Sequence, residues 1–221
     1  MILVYPVRPG EDNQRLRYSL RSVAQHLPDA EVVLLGHCPC WVRGVVHEPF
    51  EQKATWHGNV PRMIRRFVER APREWVLMND DFFALSPSPG VEVGYVGTMA
   101  QLAVRPGFKS GWYGRAVHIT RKALAAQGHT NPKSFDRVHR PLPVTNGVLG
   151  EALERVGSSD VLVRSLYGNT VGGAPTTDAK VRGYFDAIPN EGWMSTGRDS
   201  WKGYPGKVIR RQFDRPCRFE A

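Results

Sequence analysis

The sequence of 221 residues has no long apolar run and contains only three cysteines. No window approaches the roughly 18 to 20 consecutive apolar residues that a membrane-spanning helix needs, so a membrane span is not expected. An odd and low cysteine count argues against a disulfide-rich secreted scaffold and favours a reducing compartment, which predicts a cytoplasmic protein. Cys38 and Cys40 lack the second ligand pair of a usual zinc site, and we expect them to be incidental.

Acidic residues are few relative to basic ones. The chain has 21 Asp and Glu against 30 Lys and Arg, which gives a formal net charge of +9. Such a balance favours an anionic partner, for example a nucleotide, a nucleic acid or an acidic glycan. The basic residues are spread along the chain, and no nucleic-acid-binding motif accompanies them. Nucleic acid is therefore not expected to be the main partner.

Apolar runs alternate with amphipathic segments in the first half of the chain. The runs at 2–7, 31–36 and 74–79 are typical of strands that are covered on both faces. The first run has neither a basic start nor a small-residue cleavage site, so we expect a strand and not a signal peptide. Helices are predicted between the strands, one capped near Asn13 and one with Asn59 as its N-cap. This order predicts an α/β fold with a mainly parallel sheet flanked by helices.

The second half, from about residue 91, contains more Gly and Pro and has a weaker periodicity. Helices are predicted at 117–128 and 147–157, and the segment 165–180 is expected to be a functional loop. With 41% hydrophobic residues and no visible linker or repeat, the whole chain is expected to form a single domain with a less regular C-terminal half.

Two adjacent carboxylates, Asp80 and Asp81, follow the apolar run 74–79. In open parallel sheets, ligands bind at the carboxyl ends of the strands. Two like charges beside apolar surface are costly unless a cation compensates them. Mg²⁺ and Mn²⁺ prefer oxygen ligands and are often held by one or two carboxylates together with substrate phosphates. The pattern predicts a divalent-metal site that binds a diphosphate, and capping of the following turn by these carboxylates stays as the alternative.

Several segments resemble nucleotide-sugar-dependent transferases. The run 59–81, NVPRMIRRFVERAPREWVLMNDD, is similar to the middle of a GT-A glycosyltransferase, where a helix leads into a strand that ends in an acidic motif. The segment 13–28, NQRLRYSLRSVAQHLP, resembles the second conserved region of the Stealth family of capsular sugar-phosphate transferases, except at Gln14 and Arg15. HRPLP at 139–143 is similar to a later His-x-Pro element of that family.

The opening strand departs from the Stealth pattern. Stealth proteins have a W-V-D-G-type motif there, whereas this chain has YPVRPGED at 5–12. The resemblance therefore implies the GT-A-like fold and a nucleotide-sugar donor more strongly than it implies phosphotransfer. The segments 193–203 and 215–220 are also similar to the tails of small, often phage-encoded, glycosyltransferase-like proteins.

The resemblance implies a single GT-A-like domain over 1–221, with 1–90 as the nucleotide-sugar-binding half and 91–221 as the acceptor-side half. The implied activity is metal-dependent transfer of a sugar from a nucleotide-diphosphate sugar to a hydroxyl group of a glycan, protein or DNA, with Mn²⁺ or Mg²⁺ as cofactor. Three alternatives stay open: a sugar-1-phosphate transferase of Stealth type, a glycosyltransferase acting on modified DNA, and a non-catalytic nucleotide- or sugar-binding module.

Five residues of the first half are expected to bind the substrate. Arg8 follows the first strand, and the resemblance favours Arg17 for the diphosphate, although Arg17 could instead pair with a surface carboxylate. Asn59 and Arg62 lie at a predicted helix start, whose free N–H groups favour anions. Asp80 is expected to contact the sugar or the ribose.

The metal and the catalytic base are assigned to four further residues. Asp81 is the leading metal ligand. His139 is expected to complete the metal shell or to act as a general base near neutral pH. Asp136 and Asp178 are alternative bases. The Gly- and Thr-rich segment 168–178 is expected either to contact sugar or phosphate or to form a lid.

Overall fold

The computed structural model describes residues 1–52 and 56–221, and these residues form ten strands and eight helices. The strands are β1 (Ile2–Val7), β2 (Glu31–Gly36), β3 (Val46–Pro49), β4 (Glu74–Leu77), β5 (Phe82–Ala84), β6 (Gly94–Tyr95), β7 (Leu142–Thr145), β8 (Ala174–Pro175), β9 (Lys180–Val181) and β10 (Trp193–Thr196). The helices are α1 (Gln14–His26), α2 (Trp56–Val68), α3 (Met99–Ala103), α4 (Gly111–Ala126), α5 (Asn146–Val156), α6 (Val163–Val171), α7 (Arg198–Lys202) and α8 (Tyr204–Gln212). None of the helices in these two ranges combines the length and apolar character that crossing a membrane requires.

A five-stranded sheet in the order β3-β2-β1-β4-β7 lies at the centre of the fold. The first four strands in this order are mutually parallel, and β7 pairs with β4 in the antiparallel direction. The α/β fold with a mainly parallel sheet flanked by helices is therefore confirmed. The antiparallel edge strand comes from the second half of the chain.

The apolar character of β1 follows from its two covered faces. Leu3 and Tyr5 belong to the cluster that contains the buried face of α1, whereas Val4 belongs to the cluster that contains the buried face of α2. Because successive side chains of a strand point to opposite faces, a strand with helices on both sides needs apolar residues at every position. All three of these side chains are fully buried.

Two predicted helices begin earlier than the sequence pattern indicated. α2 begins at Trp56, three residues before Asn59, so the prediction of Asn59 as N-cap is wrong, and Asn59 lies buried inside the helix. α4 begins at Gly111, and Gly114 lies in its first turn. Because glycine has a low helix propensity, two glycines in the first turn gave no helix signal, and the sequence predicted the helix only from residue 117 onwards.

The predicted loop at 165–180 is wrong for its first part, since α6 covers Val163–Val171. A Cβ atom built on Gly168 would lie 2.4 Å from atoms of the Phe135 ring. Gly168 therefore allows the helix to pack closely against an aromatic ring, and its presence does not signal a flexible loop.

A smaller sheet in the order β5-β10-β9 joins the two halves of the chain. β10 runs antiparallel to β5 and parallel to β9, and Ser195 on β10 is in register with both Phe82 and Lys180. β5 begins directly after Asp81. Residues of β9 and β10 are thereby brought to the carboxyl end of β4.

The C-terminal tail is held against α1 chiefly by the ion pair between Arg21 and Glu220. The Arg21 guanidinium donates to both carboxylate oxygens of Glu220, at 2.6 and 2.9 Å, and only 7% of the Glu220 side chain is exposed. The third guanidinium nitrogen of Arg21 donates to the carbonyl oxygens of Phe213 and Asp214. These bonds connect elements that are far apart in sequence.

We expect Glu220→Gln to lower the free energy of unfolding by about 2 kcal/mol, because the Arg21 guanidinium loses its charged partner in a largely buried position near the surface. Glu151→Gln is the matched control, since the Glu151–Arg155 pair is well exposed and its loss should cost less than about 0.5 kcal/mol. Urea denaturation at neutral pH measures both values. Equal effects of the two substitutions would contradict a structural role for the Arg21–Glu220 pair.

Candidate active site

A cavity of about 310 Å³ opens at the carboxyl ends of β1 and β4. These strands are parallel neighbours, so the residues that follow them meet at one edge of the sheet. Among the described residues, four fixed cations line the cavity, namely Arg8, Arg15, Arg164 and Lys180. Three carboxylates line it as well, namely Asp80, Asp81 and Asp136. The volume lies in the range of small-molecule binding pockets.

Asp81 is compensated by two partners from the smaller sheet. Its Oδ2 atom accepts hydrogen bonds from Lys180 Nζ at 3.2 Å and from Ser195 Oγ at 2.8 Å. Both donors reach it because Ser195 is opposite Phe82 in one pairing and opposite Lys180 in the other. Only 5% of Asp81 is exposed, so its carboxylate needs such partners.

The negative charge of Asp80 is balanced by its neighbours less completely than that of Asp81. Burial raises the pKa of the Asp80 carboxyl to about 6, and the charge of Asp81 adds to the increase, although Arg8, Arg15 and Lys180 oppose it. At Asp80, burial and the neighbouring charge of Asp81 therefore outweigh the attraction of these three cations. A ligand that donates hydrogen bonds to Asp80 would stabilise its ionised form.

Arg164 lies at the start of α6, and its side chain extends to the end of β4. Its guanidinium donates to the carbonyl oxygens of Arg140 at 2.8 Å and Leu77 at 3.2 Å, and to Asn79 Oδ1 at 3.3 Å. Burial lowers its pKa to about 10, and the charges of Asp136 and Asp81 partly oppose this change. Arg164 therefore remains a cation at neutral pH.

His139 and Asp178 form a hydrogen-bonded pair beside the cavity. The distance from His139 Nδ1 to Asp178 Oδ1 is 2.8 Å, and His139 has a left-handed backbone with φ of 47°. Burial raises the pKa of Asp178, but hydrogen bonds from His139, the Lys180 N–H and Arg182 outweigh it and hold the pKa at about 2. An ionised Asp178 fixes the proton on Nδ1, which leaves the Nε2 lone pair of a neutral imidazole available as a base.

The left-handed backbone of His139 is unusual for a residue with a side chain. Such conformations cost free energy and are concentrated at functional sites. His139 lines the cavity, whereas Asp178 does not. Two of the three predicted bases are thus brought together, with His139 towards the cavity and Asp178 behind it.

Three of the predicted substrate-binding residues lie outside the cavity lining. Arg17 lies 3.5 Å from Glu220 and 4.4 Å from the centre of the Trp41 ring. Its partner is thus a carboxylate, the alternative to the diphosphate that the sequence analysis left open. Asn59 is buried within α2, and Arg62 is exposed on the same helix. Arg8 and Asp80, in contrast, both line the cavity.

Asp136 lines the cavity but is engaged at a helix start. Its Oδ2 atom accepts hydrogen bonds from the Ser165 N–H, at 3.1 Å, and from the Ser165 hydroxyl. A carboxylate at this position compensates the partial positive charge of the N-terminus of α6. No residue of the segment 168–178, all of which the structure describes, lines the cavity.

An aromatic wall, formed by Phe108, Trp112 and Tyr113, closes one side of the cavity. The His57 ring stacks against Trp112 with 5.8 Å between ring centres and meets Tyr113 edge-on at 4.5 Å. Flat apolar surfaces of this kind suit a sugar ring or a nucleobase. The sequence analysis did not identify the aromatic wall. Its residues lie in the first turn of α4 or just before it, whereas the predicted helix began only at residue 117.

The carboxylates do not fit the predicted metal site, in which Asp81 and His139 would share a cation. Asp81 Oδ2 already binds the Lys180 ammonium, and Asn79 Oδ1 accepts from Arg164. In residues 1–52 and 56–221, no three or more His, Cys, Asp or Glu side chains form a group that could hold a metal ion. The side chains around Asp81 are therefore arranged to hold an ammonium group at the position where the sequence predicted a divalent cation.

No protein-family model matches the sequence, and no curated protein matches it. Among solved structures, the chain is similar to the galactosyltransferase LgtC in complex with donor and acceptor sugar analogues, with a TM-score of 0.50 and 9% identity over 97% of this chain and 95% of that chain. An active-site mutant of LgtC has a TM-score of 0.40 and 11% identity over 82% of this chain and 75% of that chain. At 9% identity the first likeness establishes the fold, which is the GT-A fold. The resemblance to the Stealth family is not confirmed.

We expect Asp80→Asn to stabilise the protein above neutral pH. The carboxyl has a folded pKa of about 6 against an ordinary value of 3.8, so ionising Asp80 favours the unfolded chain. As the pH rises from about 3 to 8, the variant should become more stable than the parent by an amount on the order of 2 kcal/mol, and the difference should approach zero as the pH falls below the ordinary pKa of 3.8.

Urea denaturation across this pH range measures the effect. Asp29→Asn is the control, because Asp29 is exposed and lies outside the cavity lining, and it should show no comparable dependence. A difference between Asp80→Asn and the parent that does not change with pH would contradict the raised pKa.

Proposed function

We propose that the protein is a glycosyltransferase that moves a sugar from a nucleotide-diphosphate sugar to a hydroxyl group of an acceptor. One observation carries the proposal: fixed cations and a carboxylate-oriented histidine meet in a single cavity at the carboxyl ends of parallel strands. The first feature suits a diphosphate, and the second suits removal of a proton from a hydroxyl group. The GT-A fold supports the proposal, since LgtC was solved with donor and acceptor sugar analogues on this fold.

The donor is oriented by charged side chains of both signs that line the cavity. Arg8, Arg15 and Lys180 supply N–H donors for phosphate oxygens, and hydrogen bonds between charged groups are stronger than neutral ones. Asp80 is suited to accept hydrogen bonds from sugar or ribose hydroxyl groups. Such bonds offset the unfavourable environment that raises the Asp80 pKa.

The acceptor is activated by His139. In the transfer step, a bond forms between the acceptor oxygen and the anomeric carbon, while the bond from that carbon to the diphosphate oxygen breaks. The hydroxyl proton moves to His139 Nε2, and the nucleoside diphosphate leaves with the bonding electron pair. Asp178 stabilises the resulting imidazolium through the 2.8 Å bond to Nδ1.

The acceptor is expected to contact the aromatic wall. Trp112 and Tyr113 belong to the same cavity lining as His139, and aromatic faces pack well against the C–H groups of sugars. The acceptor class that we propose is therefore a glycan hydroxyl. Protein and DNA hydroxyl groups are the alternatives that an acceptor screen distinguishes.

A panel of nucleoside diphosphates and nucleotide sugars, each measured in chelator and in Mg²⁺ or Mn²⁺, tests the donor. A ligand that binds only the folded state raises the melting temperature, and a concentration of about 100 times Kd adds about 2.7 kcal/mol of stability. We expect at least one nucleotide family to stabilise the protein. No shift with any nucleotide would refute the proposed function.

The product identifies the reaction once the donor is known. Mass spectrometry of a reaction with a glycan acceptor should detect a nucleoside diphosphate. Release of a nucleoside monophosphate would instead indicate transfer of a sugar phosphate, the reaction of the Stealth-type alternative.

We expect His139→Gln to lower kcat by about 10²- to 10⁴-fold, since general-base catalysis contributes about this much. Donor binding should stay within about threefold of the parent, because the lost group acts on the acceptor. His118→Gln is the control, as His118 is exposed on α4.

Asp178→Asn should also lower kcat and should shift the acidic limb of the pH–rate profile, because the neutral amide no longer stabilises the imidazolium. Unchanged kcat in His139→Gln would exclude His139 as the base.

A further inference from the structure

Lys180 is fixed through both its backbone and its side chain. Its backbone N–H donates to Asp178 Oδ1 at 3.0 Å, and its Nζ atom lies 3.2 Å from Asp81 Oδ2. The side chain is 23% exposed, so the ammonium is reached from the cavity but lies mostly within the protein. The β9–β10 pairing places the residue opposite Ser195, the other donor to Asp81.

We propose that the Lys180 ammonium takes the place of a divalent cation, so that the protein binds the diphosphate of its donor through side-chain cations and without a metal ion. This inference rests on the proposed function. Lys180 compensates Asp81 and at the same time directs charge towards the phosphate oxygens. An ammonium group has three N–H donors, and one of them is used by Asp81.

The charge around the cavity supports this role. Among the described residues, four fixed cations line it against three carboxylates, and Asp136 is already bonded to Ser165 at the start of α6. Arg164 is held by two carbonyl oxygens and the Asn79 amide oxygen, with no ion pair of its own in the part of the chain that the structure describes. A diphosphate that enters the cavity therefore meets four cationic side chains, among them an Arg164 guanidinium that is held by neutral acceptors.

A metal ion at Asp81 would have to displace the ammonium. Moving Lys180 from Asp81 leaves a mostly buried cation without its carboxylate, and an uncompensated buried charge is strongly unfavourable. Of the oxygen ligands beside Asp81, Asn79 Oδ1 already accepts from Arg164, which leaves Asp80 as the neighbouring carboxylate. The tethered cation is therefore favoured over an exchangeable one.

Calorimetric titration with inorganic pyrophosphate tests the inference, because this probe carries the diphosphate without a base or a sugar. The nucleoside diphosphate that gives the largest shift in the panel serves as a second probe. We expect Kd values in EDTA and in Mg²⁺ to agree within about threefold. Lys180→Met should weaken binding of both probes by about tenfold or more in EDTA.

Two further variants separate loss of the cation from loss of the fold. Lys180→Arg keeps the positive charge and should restore most of the binding. Lys207→Met is the matched control, because Lys207 is exposed on α8 and lies outside the cavity lining, and its affinity should be unchanged. Circular dichroism and the melting temperature report whether Lys180→Met is folded. If that variant is unfolded, the double variant with Asp81→Asn is used instead, because it no longer has an unpaired carboxylate at position 81.

The outcomes distinguish the inference from the proposed function. Binding that requires Mg²⁺ or Mn²⁺ and is abolished by EDTA overturns the inference and leaves a glycosyltransferase in place. Undiminished binding by folded Lys180→Met, alone or with Asp81→Asn, also overturns it. If neither pyrophosphate nor any nucleotide binds, in EDTA or with Mg²⁺ or Mn²⁺, both the inference and the proposed function are overturned.

Discussion

The buried carboxylate of Asp81 is the constraint on which the arrangement of the site depends. A carboxylate with 5% exposure cannot remain ionised without partners, and its partners, Lys180 and Ser195, come from strands of the second half of the chain. Once Lys180 is fixed there, its backbone N–H bonds Asp178, and Asp178 in turn bonds His139. One requirement for charge compensation at the end of β4 thus leads, bond by bond, to the position of the proposed base.

The two neighbouring carboxylates of the cavity are compensated to different degrees. Asp81 is balanced, whereas the neighbouring Asp80 keeps a raised pKa. The cationic side chains of the cavity attract a negatively charged diphosphate, and the Asp80 carboxylate can accept hydrogen bonds from hydroxyl groups. The donor of a sugar transferase carries both kinds of group, joined through the anomeric carbon, so the division of charge in the cavity matches the division of charge in the donor.

The sequence predicted those parts of the fold and site that rest on local patterns. The strands at 2–7 and 31–36 follow from continuous apolar runs, and the acidic pair was correctly placed at the carboxyl end of a central strand. Lys180, in contrast, pairs with a residue 99 positions away, and an isolated lysine in a Gly- and Thr-rich segment has no periodicity that would reveal it. Arg17 was assigned to the donor by resemblance, but its helix face meets Glu220 of the C-terminal tail, a contact that no local pattern encodes.

A fold shared at 9% identity does not determine how its charges are balanced. An ammonium group provides one positive charge where a divalent ion provides two, so a site that relies on lysine needs further cations around the phosphates. Arg8, Arg15 and Arg164 line the same cavity, and their guanidinium groups would meet this need. Because side-chain cations are covalently attached, the affinity of the proposed metal-free site for a diphosphate would not depend on the metal supply.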